Sequence, residues 1–146
     1  MIVIDETAPV IVRLSTVIHA PLATVWDLHT DIAAWPAWNT DVESTTISDP
    51  LAAGTTFQWR THGLDIASTV LELVPGERIV WGGPAAGITG VHVWMFEQDG
   101  DQVTVRTEES WSGAPVEAAV DHLGKALHDS LESWLSRLKS RAERTA

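Results

Sequence analysis

The chain has 146 residues, enough for one domain with a continuous core but not for two, so we expect a single domain over residues 1–146. Its formal net charge of −11 disfavours nucleic acid and anionic lipid surfaces as partners, and the absence of cysteine excludes disulfides, thiolate metal sites and a cysteine nucleophile. Because there is no apolar run of about 20 residues and the first nine residues carry acids rather than bases, we expect a cytoplasmic protein without membrane insertion.

The first part of the chain predicts a strand followed by helical turns. Residues 10–19 alternate as a strand does. Pro21 suits the first position of a short helix that runs to about residue 30 and has Val25, Trp26 and Leu28 on its apolar side. Residues 31–39 predict a second short helical or turn-like piece that Pro36 breaks.

Strand patterns fill the middle of the chain and are separated by turn signals such as Pro75-Gly76 and Asp99-Gly100. The predicted strands cover residues 42–48, 55–62, 66–74, 78–81, 88–97 and 102–111. The glycine-rich segment 82–87 lacks the spacing of a phosphate-binding loop, so we interpret it as a mobile loop at the mouth of a cavity.

One long amphipathic helix is predicted from residue 115 to about residue 143. Its apolar positions recur every three or four residues at Val116, Val120, Leu123, Leu127, Leu131, Trp134 and Leu138. Sequential strands with tight turns, two short helices after the first strand and one long final helix predict an α+β fold, in which an antiparallel sheet wraps around the C-terminal helix.

Strand periodicity indicates which side chains face the interior. In the last strand, alternation places Val103, Val105, Thr107, Glu109 and Trp111 inside. Phe57, Trp59 and Thr61 form the inner set of another strand. For residues 88–97 we favour His92, Trp94 and Phe96 inside, although Val91, Val93 and Met95 would also form an apolar face.

The aromatic content is eight Trp, two Phe and no Tyr. Trp59, Trp81, Trp94 and Trp111 lie on separate predicted strands and could converge on one cavity. The alternative is that these rings only fill a core.

His92 and Glu109 lie on strands that a short turn joins, so they could form an acid/base pair. The alternative is that both are satisfied structural groups, with Glu109 accepting hydrogen bonds from indoles or backbone. The six His show no metal-ligand spacing, so neither a metal nor another cofactor is expected.

The order of elements and motifs resembles the polyketide cyclase/dehydrase and lipid-transport branch of the START-related (SRPBCC) superfamily. The motifs are Ala20-Pro21-Leu22-Ala23-Thr24-Val25-Trp26-Asp27, the Trp-Pro-x-Trp at 35–38, Gly54-x-x-Phe57-x-Trp59, Val74-Pro75-Gly76-Glu77-Arg78 and Glu109-Ser110-Trp111-Ser112-Gly113. The resemblance implies a helix-grip fold, with about seven strands curved around the final helix and a hydrophobic cavity between them.

This resemblance implies that a small hydrophobic or aromatic molecule, such as a polyketide-like metabolite or a lipid, binds in the cavity. The residues expected to line it are Phe57, Trp59, Trp81, Trp94, Phe96, Thr107, Trp111, Val120, Leu123 and Leu127. The alternative is a cofactor-independent cyclase or dehydratase with His92 and Glu109 as catalytic residues. Aromatase/cyclases that resemble this fold tend to place an Arg or several hydroxyl groups in the pocket, whereas here Arg60 and Arg106 fall on the outer face and there is no Tyr. This departure favours binding over catalysis. A monomer or a homodimer is expected.

Overall fold

A computed structural model describes residues 1–145. Seven strands form one antiparallel sheet in the order β1-β7-β6-β5-β4-β3-β2, so the first strand lies beside the last. The strands are β1 (Val10–Ile18), β2 (Val42–Thr46), β3 (Thr56–Thr61), β4 (Leu64–Val74), β5 (Arg78–Ala85), β6 (Ile88–Asp99) and β7 (Gln102–Ser112). The predicted α+β architecture is confirmed: the sheet curves around a long C-terminal helix, and short helices connect β1 to β2.

The helices are α1 (Leu22–Thr30), α2 (Trp35–Trp38), α3 (Ala114–Glu117) and α4 (Val120–Thr145), and a single 3₁₀ turn, Ile32–Ala34, precedes α2. None of the helices within residues 1–145 combines the length and the apolar character needed to cross a membrane.

Two helix predictions were wrong in detail. Pro36 lies in the first turn of α2 and does not break it, because a proline there forfeits no intrahelical hydrogen bond. The final helix is divided into α3 and α4, because the amide of Ala119 donates to the carbonyl of Val116 in a tighter turn. This turn leaves Val116 buried and Val120 38% exposed.

The prediction of a mobile loop at 82–87 was also wrong. β5 continues to Ala85 and pairs with β6 across a two-residue turn, in which Ala86 and Gly87 have φ values of 53° and 81°. Two positive φ angles are typical of the tightest hairpin turns. The glycine at 82 allows close strand approach, because a Cβ there would lie 2.4 Å from the carbonyl oxygen of Gly90.

The concave face of the sheet holds two groups of packed side chains. We define the ring cluster as His29, Trp35, Phe57, Trp59, Trp81, Trp94, Phe96 and Trp134. We define the aliphatic cluster as Val10, Val12, Val116, Leu127 and Leu131, with Trp111 and Leu123 packed at its edge. Helix α4 contributes to both clusters and therefore packs along the length of the concave face.

The N-terminal strap, residues 2–5, covers part of the opposite face. Ile4 is 3% exposed and packs on Val80 and Val93, which are fully buried on the outer side of β5 and β6. The amide of Asp5 donates to the hydroxyl of Ser110 at 3.0 Å, and the Arg78 guanidinium donates to the carbonyl of Ile2. Strand β6 is therefore covered on both faces near its centre.

Candidate functional site

An ionisable pair lies on the concave face of the sheet, on the neighbouring strands β6 and β7. His92 on β6 and Glu109 on β7 are directly opposite in the strand register, and His92 Nδ1 is 3.1 Å from Glu109 Oε1. The side chain of His92 is 4% exposed and that of Glu109 is 15% exposed. The period of two along each strand brings them together, so this pairing follows from the sequence pattern.

A hydroxyl fixes the tautomer of the imidazole. Thr107 Oγ1 donates to the carbonyl of Val93 at 3.1 Å, so its oxygen accepts from His92 Nε2 at 2.8 Å. We therefore assign the proton of neutral His92 to Nε2. Nδ1 then presents a lone pair to Glu109, and a single proton on the carboxyl group completes the hydrogen bond between them.

The electrostatics favour this neutral arrangement. Burial raises the pKa of Glu109 to about 7, and the hydrogen bond from Trp111 opposes part of that rise. Burial also holds the pKa of His92 well below its ordinary value, with a smaller contribution from His29. Both shifts disfavour the ionised forms, so below about pH 7 a carboxylic acid faces a neutral imidazole.

The second carboxyl oxygen connects the pair to the other end of the interior. Trp111 Nε1 donates to Glu109 Oε2 at 2.8 Å, and its ring packs at the edge of the aliphatic cluster. The His92 ring lies 5.1 Å from Trp81 and 5.0 Å from Trp94 in the ring cluster. We name Thr107, His92, Glu109 and Trp111 the polar network; it runs between the two apolar clusters.

The structure brings most of the sequence-predicted aromatic residues together. Trp81 and Trp94 are fully enclosed and their ring centroids are 6.3 Å apart in a stacked orientation. Phe57 lies 5.8 Å from Trp81 with its ring at 82° to the indole. Trp59 is only half-buried and donates from Nε1 to Ser68 at 3.1 Å. Phe96, also buried, borders His29 at 5.5 Å.

The remaining predicted lining residues do not join the ring cluster. Trp111, Leu123 and Leu127 lie in or against the aliphatic cluster, so of the four strand tryptophans that were predicted to converge on a cavity, three pack together in the ring cluster and Trp111 does not. Val120 is exposed at the start of α4, because the turn between α3 and α4 rotates it away from the sheet. We therefore correct its assignment from the interior to the surface.

Sequence reasoning assigned no role to three residues at the centre of the ring cluster. Trp134 on α4 lies within 6.2 Å of the rings of Trp35, Trp59, Trp81, Trp94, His92 and His29. Trp35 is fully buried and donates from Nε1 to the carbonyl of His29 at 2.9 Å. His29 is itself fully buried. Its spacing of four from Val25 on the apolar side of α1 is the signal that could have identified it.

Two surface concavities lie outside this interior. A groove of about 530 Å³ runs between β1 and the start of α4 and includes Val12, Val120 and Lys125. A second, of about 240 Å³, lies along β2, β3 and β4 and includes Gln58 and Trp59. Neither is lined by His92 or Glu109. Of the pair, Glu109 is the side chain that solvent reaches more readily, at 15% exposed against 4% for His92.

Comparison with known proteins gives a family match and a set of similar solved structures. The model of the family described as polyketide cyclase/dehydrase and lipid transport matches residues 9–143. No curated protein sequence matches the chain.

Solved structures share the fold at low sequence identity. A hypothetical protein from Helicobacter pylori superposes with a TM-score of 0.83 at 21% identity, covering 97% of each chain. A START superfamily protein from Mycobacterium smegmatis gives 0.76 at 14% identity, covering 93% of this chain and 99% of its own. The Zhui aromatase/cyclase from a Streptomyces species gives 0.80 at 15% identity, covering 92% of this chain and 93% of its own.

Proposed function

The chain belongs to the polyketide cyclase/dehydrase and lipid transport family, and we propose that it acts as a single domain that binds a small hydrophobic or aromatic molecule. Its START-like helix-grip fold is a ligand-binding fold. The proposed site is the interior between the sheet and α4, where the ring cluster meets the polar network. Phe57, Trp81, Trp94 and Phe96 would supply apolar contacts there.

The polar network carries this proposal. An apolar core gains nothing from a buried carboxyl group, because withdrawing it from water is unfavourable unless it is paired. Here Glu109 is paired, yet its side chain remains 15% exposed, so it can exchange a protein hydrogen bond for one to a ligand. Apolar walls with a few convergent polar groups are typical of small-molecule sites.

The protein as purified from its own host provides the test. Native mass spectrometry would show a bound molecule, and titrating the extracted molecule back should quench tryptophan emission from the ring cluster. Trp94→Ala should weaken this binding by about tenfold or more, because it removes a large buried apolar contact surface.

A matched control comes from the same strand. Val93 is buried on the outer face of β6 against Ile4, so Val93→Ala loosens the strand without touching the interior. We expect Val93→Ala to bind as the wild type does. Equal affinities for Trp94→Ala and the wild type would place the ligand elsewhere.

A second candidate function is catalysis of cyclisation and dehydration, and the His92–Glu109 geometry supports it. The Zhui structure is named as an aromatase/cyclase, and it shares this fold. Thr107 and Glu109 engage both ring nitrogens of His92, whose side chain is 4% exposed, whereas the side chain of Glu109 is 15% exposed, so Glu109 is the group that a substrate could reach. His92 would then be a positioning residue that holds the carboxyl group and its proton.

The chemistry would need only one carboxyl group. Ionised Glu109 takes a proton from the carbon next to a substrate carbonyl, and the electrons of the broken C–H bond form an enolate. The enolate then expels the hydroxyl group on the adjacent carbon, which leaves as water with the proton that Glu109 returns. A pKa of about 7 suits this role because both protonation states are populated near neutral pH.

Glu109→Gln separates the two functions. The amide keeps the shape of the side chain but cannot take up a proton, so turnover of the recovered molecule would be lost while its binding is retained. If the wild type releases the molecule unchanged after prolonged incubation, the catalytic candidate fails and the binding function stands.

A further inference from the structure

The interior contains polar atoms that the protein leaves without a partner. Within residues 1–145, no hydrogen-bond partner exists for Nδ1 or Nε2 of His29, nor for the indole nitrogens of Trp94 and Trp134. Each is buried: His29 and Trp94 are fully enclosed and Trp134 is 4% exposed. Leaving a buried polar group unpaired is energetically unfavourable, so several such groups in one place are unexpected in an ordinary core.

These groups are neighbours. The His29 ring centroid is 4.1 Å from that of Trp94 and 6.0 Å from that of Trp134, and the two indoles are 5.5 Å apart. They come from α1, β6 and α4, so the tertiary fold and not local sequence assembles them. The ring centroids of His92 and Trp94 are 5.0 Å apart, so the unpaired nitrogens of His29, Trp94 and Trp134 lie beside the polar network.

The backbone of His29 contrasts with its side chain. Its carbonyl accepts a buried hydrogen bond from Trp35, which fixes the end of α1 over the ring cluster. The side chain of phenylalanine or leucine would fill the same space without unpaired polar atoms. Burial lowers the pKa of His29 to about 3, so the ring is neutral and offers one donor and one acceptor.

The chemistry of the set defines what it can bind. Two indoles supply donors only, and a neutral imidazole supplies a donor and an acceptor. Oxygen atoms of carbonyl or hydroxyl groups satisfy this combination, and the flat rings of Trp81 and Trp94 favour an aromatic skeleton. Among the buried side chains of residues 1–145 the only Lys or Arg is Arg78, which pairs with Glu72 away from these rings, so a neutral ligand suits the cluster better than a carboxylate.

We propose that the ligand is a neutral, oxygen-bearing aromatic molecule and that His29, with the indole N–H groups of Trp94 and Trp134, is a specificity-determining site for its hydroxyl or carbonyl oxygen. This inference rests on the proposed binding function and specifies its ligand class. His29 and the Glu109 end of the polar network then contact different parts of one ligand.

The test compares two probes that differ in one hydroxyl group, 1-naphthol and naphthalene. Affinities are measured by calorimetry on the wild type and on His29→Phe, and the indole N–H signals are followed by NMR. We expect the wild type to prefer 1-naphthol by about tenfold, the value of one good buried hydrogen bond. His29→Phe should lose that preference, and 1-naphthol should move the indole signals more than naphthalene does.

Three controls make the result decisive. His29→Leu is measured in parallel because Phe is larger than His, and the inference requires both variants to lose the preference. His29→Gln retains a donor and an acceptor and should retain part of it. His29→Phe and His29→Leu should also unfold at a higher urea concentration than the wild type, because they remove unpaired polar atoms. A histidine whose ring stabilised the fold through hydrogen bonds would give the opposite result.

Failure can be traced to one level or the other. If both probes bind and the preference for 1-naphthol is the same in the wild type and in the variants at position 29, the inference is wrong while the binding function stands. If neither probe binds the wild type while the molecule extracted from the host does, the inference is wrong and the binding function stands; if that molecule does not bind either, both fail.

Discussion

At the residue scale, the protonation of Glu109 is the property most sensitive to solution conditions. Its pKa of about 7 in the folded chain exceeds the ordinary value of 4.5, and burial is the main cause. A raised carboxyl pKa means that the folded state binds the proton more tightly than the unfolded chain does. The resulting stabilisation is present at low pH and is lost as pH rises through 7.

We predict that Glu109→Gln becomes progressively more stable than the wild type as pH rises. Between pH 4.5 and pH 8, the free energy of unfolding of the wild type should fall relative to the variant by on the order of 3 kcal/mol, the equivalent of the pKa shift. Urea unfolding of both proteins at several pH values measures this difference. The lowered pKa of His92 destabilises both proteins at acid pH and largely cancels.

Glu97→Gln is the matched control for this titration. Glu97 is at the surface, 72% exposed and paired with Arg106, so its replacement should leave the pH dependence close to that of the wild type. A constant stability difference between wild type and Glu109→Gln across the pH range would mean that Glu109 titrates normally.

The sequence predicted the His92–Glu109 pair because two strands joined by a short turn must place alternate residues together. It did not predict that Trp111 would lie outside the ring cluster. Periodicity selects the face of a sheet but not the position along it, and Trp111 lies at the end of β7 beside the aliphatic cluster. His29 was missed because a helix end gives a weak periodic signal.

At the element scale, the β5–β6 hairpin depends on glycine for close packing. Gly82→Ala should destabilise the protein by about 2 kcal/mol or more, because overpacking forces backbone shifts and the added Cβ would lie 2.4 Å from the Gly90 carbonyl oxygen. Chemical denaturation of the purified variant measures the loss.

Gly124→Ala on α4 is the opposite case and serves as the control. Apart from the backbone of its own helix and its chain neighbours, no atom lies within 4 Å of the position that its Cβ would occupy. Removing a helix-interior glycine should therefore stabilise the protein by about 0.5–1 kcal/mol. Destabilisation of both variants to a similar extent would show that the hairpin contact is not the cause.

The seven strands and the helix order were predictable because tight turns and alternation leave strong signals in this chain. The strand over 82–85 was not, since glycine and proline usually mark loops. Only the partner strand explains the glycine at 82: β6 runs so close that a Cβ at this position would clash with it. Information about the neighbouring strand is absent from a local reading of the sequence.

At the scale of the whole molecule, Trp134 connects α4 to the ring cluster on the sheet. Its ring meets side chains from the α1 and α2 helices and from β3, β5 and β6. Trp134→Ala should lower the free energy of unfolding by about 3–5 kcal/mol and leave a cavity lined by rings. Indole at millimolar concentration should raise the melting temperature of this variant more than that of the wild type, because the variant has the added cavity.

Trp26→Ala controls for the loss of a tryptophan. Trp26 is only half-buried and contacts Phe96 at the edge of the cluster, so water can fill the space that its removal leaves. Indole should change its melting temperature no more than it changes that of the wild type. A similar indole effect on both variants would indicate binding at the surface rather than in the interior.

The N-terminal strap has a consequence for how the molecule deforms. Because Ile4 seals the outer side of β6 and the ring cluster seals the inner side, the amide hydrogens near Val93 should exchange with deuterium among the slowest in the chain. Helix α4 has no such second cover. If the proposed ligand enters the interior, we therefore expect the sheet to stay rigid and α4 to move. The strand that carries His92 then keeps its shape while the helix shifts.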